Sequence, residues 1–133
     1  VSAARARCTG SASRRSATAR RPLRSGGRAE RRALWWYRLR GWKILGANVW
    51  AGGNELDLIA RRGRELRFVE VKEKRGAGFG DPLEMVTAEK QRRVRRAAAA
   101  WLAAKPELRG LRVGFDVVAV RAGRCERVED AFE

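Results

Sequence analysis

The spacing of apolar residues changes character at Gly27. Over 28–40 (RAERRALWWYRLR) they recur at helical intervals, with Ala33, Leu34 and Tyr37 on one stripe and arginines filling most other positions. A helix is predicted there, ending at Gly41, a residue suited to the left-handed position after a helix. Glu30 falls on the apolar stripe, where a carboxylate is costly unless paired; an arginine partner or a first-turn cap would satisfy it. From 42 the period shortens. WKILGANVW at 42–50 reads as a first strand, and Gly52-Gly53 turn the chain into a second, NELDLIA at 54–60. The cluster Arg61-Arg62-Gly63-Arg64 signals a hairpin turn into a third strand, ELRFVEVK at 65–72. A loop of glycine and charge follows from Glu73 to Pro82. Thr87 is placed to cap a helix over 88–105, with Val94, Ala97, Ala98, Trp101 and Leu102 on its stripe and Pro106 stopping it. LRVGFDVVAV at 111–120 has the near-continuous apolar run of a central strand covered on both faces. Arg121-Ala122-Gly123-Arg124 then turn into a short last strand near 125–128.

The order is helix, three meandering strands, helix, strand, short strand. A strand–helix–strand crossover from 65–72 to 111–120 should be parallel, which gives a mixed sheet with helices packed against it, an α/β sandwich spanning 27–133. No internal repeat is visible.

Composition narrows the chemistry. The chain has 133 residues, 31 Lys and Arg against 15 Asp and Glu, a net charge of +16 and no histidine. A Ser-His-Asp triad, an imidazole base and a histidine zinc site are therefore excluded. Cys8 and Cys125 are far apart and form neither a metal spacing nor a disulfide framework, which fits a reducing, cytoplasmic setting. No apolar run approaches the ~20 residues of a membrane span. Residues 1–26 are Ala, Ser, Gly and Arg with little apolar besides Leu23, so a disordered basic arm is expected. A nucleic-acid arm, an inert solubilising tail or misplaced start site, and an Arg/Ser-rich targeting peptide are the competing readings; without the apolar core of a secretory signal, export is not predicted.

Alternation along strands places Glu55 and Asp57 on one face, and Phe68, Glu70 and Lys72 likewise on one face. An even hairpin loop, two residues at 62–63 or four, points both sets to the same side. Asp57 then lies opposite Glu70 or within one diagonal, at roughly 5–8 Å between Cβ atoms. Acids that close repel, and a divalent cation removes the cost, so the pair suits Mg²⁺ or Mn²⁺. Lys72 would orient a water or stabilise charge on a phosphoryl group, chemistry that needs no histidine. The competing account is a ladder of salt bridges on a solvated sheet face. Lys90 lies one turn before Val94 and faces the sheet. Beside it Arg92, Arg93, Arg95 and Arg96 make a dense basic face, either a solvated helix surface or a phosphate-tracking one. Trp35, Trp36, Trp42, Trp50 and Trp101 are base-stacking platforms or core anchors. Asp116 points opposite to Phe115 and Val117 and is read as structural, satisfied by a turn or an arginine.

The run Gly53 to Ala60, followed by Phe68-Val69-Glu70-Val71-Lys72, resembles the D…(D/E)xK signature of the PD-(D/E)XK nuclease superfamily. The chain as a whole resembles the small bacterial YraN-type family of endonuclease-like proteins. Further matches are Gly27-x-x-Glu30, Gly41-Trp42-x-Ile44-Leu45, Phe79-Gly80, Lys90-Gln91-Arg92-Arg93, Phe115-Asp116-Val117-Val118 and Asp130-Ala131-Phe132, covering about 27–132. The resemblance implies a restriction-endonuclease-like fold, with Asp57 and Glu70 as metal ligands, Lys72 as the catalytic lysine and Glu30 as the helix acid completing the site. Glu55 matches a family position too. The implied activity is a Mg²⁺- or Mn²⁺-dependent endonuclease acting on DNA rather than RNA. The superfamily includes Holliday-junction resolvases, and by analogy branched DNA and a homodimer are expected. A nucleic-acid-binding or assembly module that keeps the fold without turnover is the alternative. Two positions depart from the pattern: Arg127 stands where family members often have histidine, and Glu73 follows Lys72 where a small or hydroxylic residue is usual.

Overall fold

Gly41 adopts φ +90°, and the two N–H groups beyond the first helix fold back, Gly41 N to Arg38 O and Trp42 N to Tyr37 O, each at 3.0 Å. That closure satisfies the last carbonyls of helix α1 (Arg28–Leu39) and turns the chain into the sheet. In the computed structural model, which describes residues 27–74 and 86–133, the strands are β1 (Lys43–Ala51), β2 (Asn54–Arg62), β3 (Glu65–Lys74), β4 (Arg112–Arg121) and β5 (Arg124–Phe132). Helix α2 (Ala88–Ala103) and one 3₁₀ turn (Pro106–Leu108) lie between β3 and β4. The expected arm over 1–26 and the Phe79-Gly80 match lie outside the described residues. So does most of the expected loop, because β3 continues to Lys74.

The five strands lie in chain order, antiparallel except for the parallel pair β3–β4. This is the mixed sheet of a restriction-endonuclease-like α/β sandwich, with a helix on each face. Ala33 and Tyr37 of α1 pack with Trp42 on Leu58, Ala60, Val69, Val71, Val118 and Val120. Val94, Ala97 and Ala98 of α2 pack on Leu56, Ile59, Leu66, Phe68, Phe115 and Val117. Strands β3 and β4 alternate between the two cores, Phe68 and Val117 to one side, Val69 and Val118 to the other. This is why the apolar run of β4 is nearly unbroken. Among the described residues no helix is long and apolar enough to cross a membrane.

Helix α2 begins where Thr87 Oγ1 accepts from Lys90 N at 3.1 Å, and it ends two residues short of the expected 105. Strand β5 corrects the reading of 125–128: it runs to Phe132, whose ring stacks on Phe115 at 4.9 Å. An edge strand needs apolar residues on one face only, and a register shift opposite Phe115–Val117, with Asp130 at φ +51°, hid the period.

Asp116 is structural, as expected. It is 0 % exposed and accepts from Tyr37 Oη (2.7 Å), Arg127 Nε (2.9 Å) and Asp130 N (3.1 Å), with Arg67 Nε at 3.5 Å. Burial, with the Asp116 charge beside it, pushes the Tyr37 hydroxyl upward and keeps it a donor. Arg127, at the position where histidine was anticipated, lies over the Trp36, Tyr37 and Trp42 rings at 5.5–5.6 Å. It therefore serves this buried network.

Candidate active site

The β2–β3 hairpin closes on Gly63-Arg64 with Arg62 paired to Glu65, rather than on 62–63. Gly63 takes φ +62° at the first turn position, as a two-residue hairpin asks. This register ends on Leu58 against Val69, and the residues next along the two strands are Asp57 and Glu70, whose charges act on one another. There the strands part. The Val71 N–H donates to Asp57 Oδ2 at 2.9 Å, so a side chain takes a backbone donor next to the end of the ladder.

Strict alternation fails at the same point. Leu56 packs toward α2 and Leu58 toward α1, although they are two residues apart. Strand β2 therefore rolls at Asp57. The register of β1 puts Asn48 opposite, and Asn48 has φ +54°, a conformation asparagine tolerates better than most residues. Glu55 consequently does not share the Phe68–Glu70–Lys72 face as expected. With its amide nitrogen turned toward the acids, Asn48 donates to Glu30 Oε1 at 2.8 Å and Glu55 Oε2 at 3.2 Å. Glu30 thus finds an amide partner and not the anticipated arginine.

On the α2 side Glu70 is 4 % exposed, which is no solvated face. Its Oε2 lies 3.5 Å from Lys72 Nζ on its own strand and 3.7 Å from Lys90 Nζ on α2. Burial first, then the facing Glu70 carboxylate, pushes the Asp57 carboxyl up to about 7, against the opposing pull of Val71 N–H and Lys90. Burial, with Asp57 and Glu55 beside it, pushes Glu30 up to about 8. Four carboxylates from α1, β2 and β3 therefore interact around two lysines. Among the described residues no three acidic side chains are drawn into a closed ligand cage. The cluster is held by the amide, the Val71 N–H and the lysines.

Glu30, Glu55, Asp57, Glu70, Lys72 and Lys90 are brought together. The α2 arginines lie outside that group and are partly engaged: Arg95 Nη1 donates to Glu133 O at 2.7 Å and Arg93 reaches Glu89 at 3.9 Å, while Arg92 and Arg96 are exposed. Asn48 is the member that sequence reasoning missed. Its one signal was a lone amide in an otherwise apolar strand. Of the tryptophans, Trp42 is buried edge-on against Tyr37 and Trp101 half-buried against Phe68, whereas Trp35 and Trp50 are exposed.

An α/β sandwich with an acid–lysine cluster where two central strands part defines the class. The family model described as "Uncharacterised protein family UPF0102" matches residues 29–120, and the chain belongs to that family, the YraN family that its motifs resemble. A UPF0102 protein of Rhizorhabdus wittichii is 46% identical over 104 residues, 76% of this chain and 83% of its own length. One of Geobacter sulfurreducens is 42% identical over 97 residues, covering 69% and 75%. One of Paramagnetospirillum magneticum is 41% identical over 114 residues, covering 82% and 87%. The matched segment contains Glu30, Asp57, Glu70, Lys72 and Lys90.

Proposed function

We propose that this chain is a divalent-metal-dependent nuclease that hydrolyses phosphodiester bonds of DNA. The observation that carries the reading is the convergence of Glu30 from α1, Asp57 from β2, and Glu70 and Lys72 from β3 where the strands part. One buried and two half-buried acids that oppose one another are unfavourable without a cation, and their all-oxygen donor set fits Mg²⁺ or Mn²⁺. Asp57 and Glu70 would hold the ion with Glu30 completing the set, and the ion would supply charge stabilisation at the phosphoryl oxygens and acidity to water.

The chain's own groups are arranged for the remaining tasks. Asp57 Oδ2 is fixed by Val71 N–H, so the carboxylate cannot swing freely. Glu70 is held between Lys72 and Lys90. The Lys72 ammonium is partly exposed beside Glu70, placed to meet negative charge developing on a phosphoryl group and to orient the attacking water. Exposed Arg92 and Arg96 and the +16 net charge favour a polyanionic substrate.

Lys72→Ala tests the reading on duplex, single-stranded, flap and four-way-junction DNA with Mg²⁺ or Mn²⁺. Cleavage should fall by a factor of ~10² or more, a typical loss for a transition-state charge contact. Mn²⁺ binding by calorimetry should persist in that variant and be lost in Asp57→Ala. Absence of cleavage by the natural chain on every substrate overturns the reading in favour of a non-catalytic binding module.

A further inference from the structure

Glu30, Ala33 and Tyr37 take the inward stripe of α1; Arg28, Arg31, Trp35 and Leu39 lie on the side turned away from it, with Trp36 between, partly buried against the core. Together with the β4–β5 turn that side lines an open groove of about 750 Å³. Arg28, Arg31, Arg32, Arg40 and Arg124 contribute five guanidinium groups, and none of its described lining residues is acidic. Trp35 and Trp36 contribute indoles between those cations. Arg40 already stacks on Trp36 at 3.9 Å and Arg38 on Trp35 at 5.3 Å, yet Trp35 remains 54 % exposed.

One wall of the groove is tied in place. Arg32 Nη1 donates to Gly123 O at 3.3 Å, linking α1 to the β4–β5 turn. Gly123 has φ +79°, a left-handed backbone conformation that glycine adopts without strain.

We propose that this groove binds an unpaired stretch of nucleic acid. Guanidinium forks match phosphate oxygens, and an exposed indole offers a face on which a base can stack. A duplex keeps its base faces covered and would leave Trp35 without a partner. An acidic peptide would use the arginines and leave the indole idle. Mutual repulsion of five cations without an acid is relieved by a polyanion, and the indoles select one with exposed rings. The inference deepens the nuclease reading and rests on it in one respect. Helix α1, about 10 Å across, separates the groove from the acidic cluster, so one strand can occupy both. The substrate class is then DNA carrying an unpaired strand beside the bond to be cut.

Fluorescence anisotropy tests this with the full chain in EDTA, using labelled oligothymidylate and a duplex of equal length. The natural chain should prefer the single strand. Trp35→Ala should weaken oligothymidylate binding about 5- to 150-fold, the range for loss of a base–aromatic stack, and leave duplex affinity within about two-fold. Trp35→Phe should restore most of the loss. Arg31→Ala with Arg124→Ala should flatten the plot of log affinity against log salt by about 1.4, near 0.7 per phosphate contact on a single strand. Trp35 is exposed, so an unchanged melting temperature separates a binding defect from misfolding. Oligothymidylate affinity unaltered in both variants overturns the proposal. Equal losses on single strand and duplex, or displacement by polyglutamate as readily as by unlabelled oligothymidylate, overturn it too. Because the readout needs no metal, the two readings fail separately: stacking without cleavage overturns the nuclease alone, and cleavage with a dispensable groove overturns the groove alone.

Discussion

Replacing Asp57 by asparagine should make the metal-free chain more stable near pH 8 and leave it nearly unchanged near pH 4. The amide has the shape of the carboxylate, and its oxygen can still accept the Val71 N–H that lies 2.9 Å from Asp57 Oδ2. What disappears is a negative charge. Burial and the facing Glu70 carboxylate push the Asp57 carboxyl from 3.8 up to about 7. A carboxyl that ionises less readily when folded costs no stability while it is protonated in both states, below about pH 4. The cost grows as pH rises between the unfolded and folded values and is complete above about pH 7. That displacement corresponds to about 4 kcal/mol. Asparagine keeps part of the burial cost, because its amide nitrogen needs an acceptor, which Glu30 can supply. A net gain of about 1–3 kcal/mol remains, a rise of about 5–15 °C in melting temperature for a domain of this size. Thermal unfolding followed by circular dichroism in EDTA at pH 4, 6 and 8 measures it. Excess Mg²⁺ or Mn²⁺ should then raise the melting temperature of the natural chain and not that of the variant. A variant no more stable than the natural chain at pH 8 would refute the claim that these acids oppose one another.

Asp116→Ala should cost about 3–5 kcal/mol in urea unfolding, because Arg67 and Arg127 lose a buried counter-charge; a loss below about 1 kcal/mol would contradict the structural role. Gly52→Ala should destabilise by about 2–3 kcal/mol, since at φ +57° its Cβ would stand 3.0 Å from Ala97 Cα and Arg96 O. Gly53→Ala at φ +80°, with nothing within 4 Å, should cost only backbone strain of about 1 kcal/mol, and equal losses would discount the close approach. Duplex affinity should fall steeply with salt, and Arg92→Ala with Arg96→Ala should flatten the slope by about 2, near 0.9 per phosphate contact; an unchanged slope would mean that this face does not touch the duplex.

Much of the fold was legible because its boundaries are chemical. Gly41, Thr87 and Pro106 end or begin helices through backbone geometry and capping, which a single residue can signal. The β4 run announced a strand covered on both faces. What periodicity could not carry was any place where the period changes. The roll of β2 at Asp57 lies beside Asn48 with its φ of +54°, whereas strict alternation assumes an even twist. That is why Glu55 was assigned to the wrong face. The far half of β5 was missed for a related reason: Glu129 and Asp130 interrupt the alternation at a bulge. The nearness of Asp57 and Glu70 was foreseeable within one diagonal, and the positive φ that Gly63 prefers fits the two-residue turn that sets the register leading up to them. Asn48 itself had no periodic signal, since its role comes from a backbone conformation.

Asp57 and Asp116 lie in nearly interchangeable contexts, Leu-Asp-Leu and Phe-Asp-Val within apolar strands. The fold treats them in opposite ways. Asp116 receives a tyrosine hydroxyl, a backbone N–H and two arginines, which together match its charge. Asp57 receives one backbone N–H and the distant pull of a lysine, and it faces Glu70 and Glu55. The difference does not arise from a shortage of cations, since the chain has 31 lysines and arginines for 15 acids. Among the described residues, two arginines are placed on Asp116, whereas on Glu70 the cations are two lysines, at 3.5 and 3.7 Å. Opposition among acids in a chain so rich in positive charge is a local cost that the amide, the N–H and the lysines offset in part, since the Glu30 and Asp57 carboxyls are still pushed up. In proteins whose other contacts agree with one another, such a cost concentrates where something else is to be bound. A divalent cation there would convert the opposition of Glu30, Asp57 and Glu70 into ligation, and it would leave Lys72 free to face the phosphate.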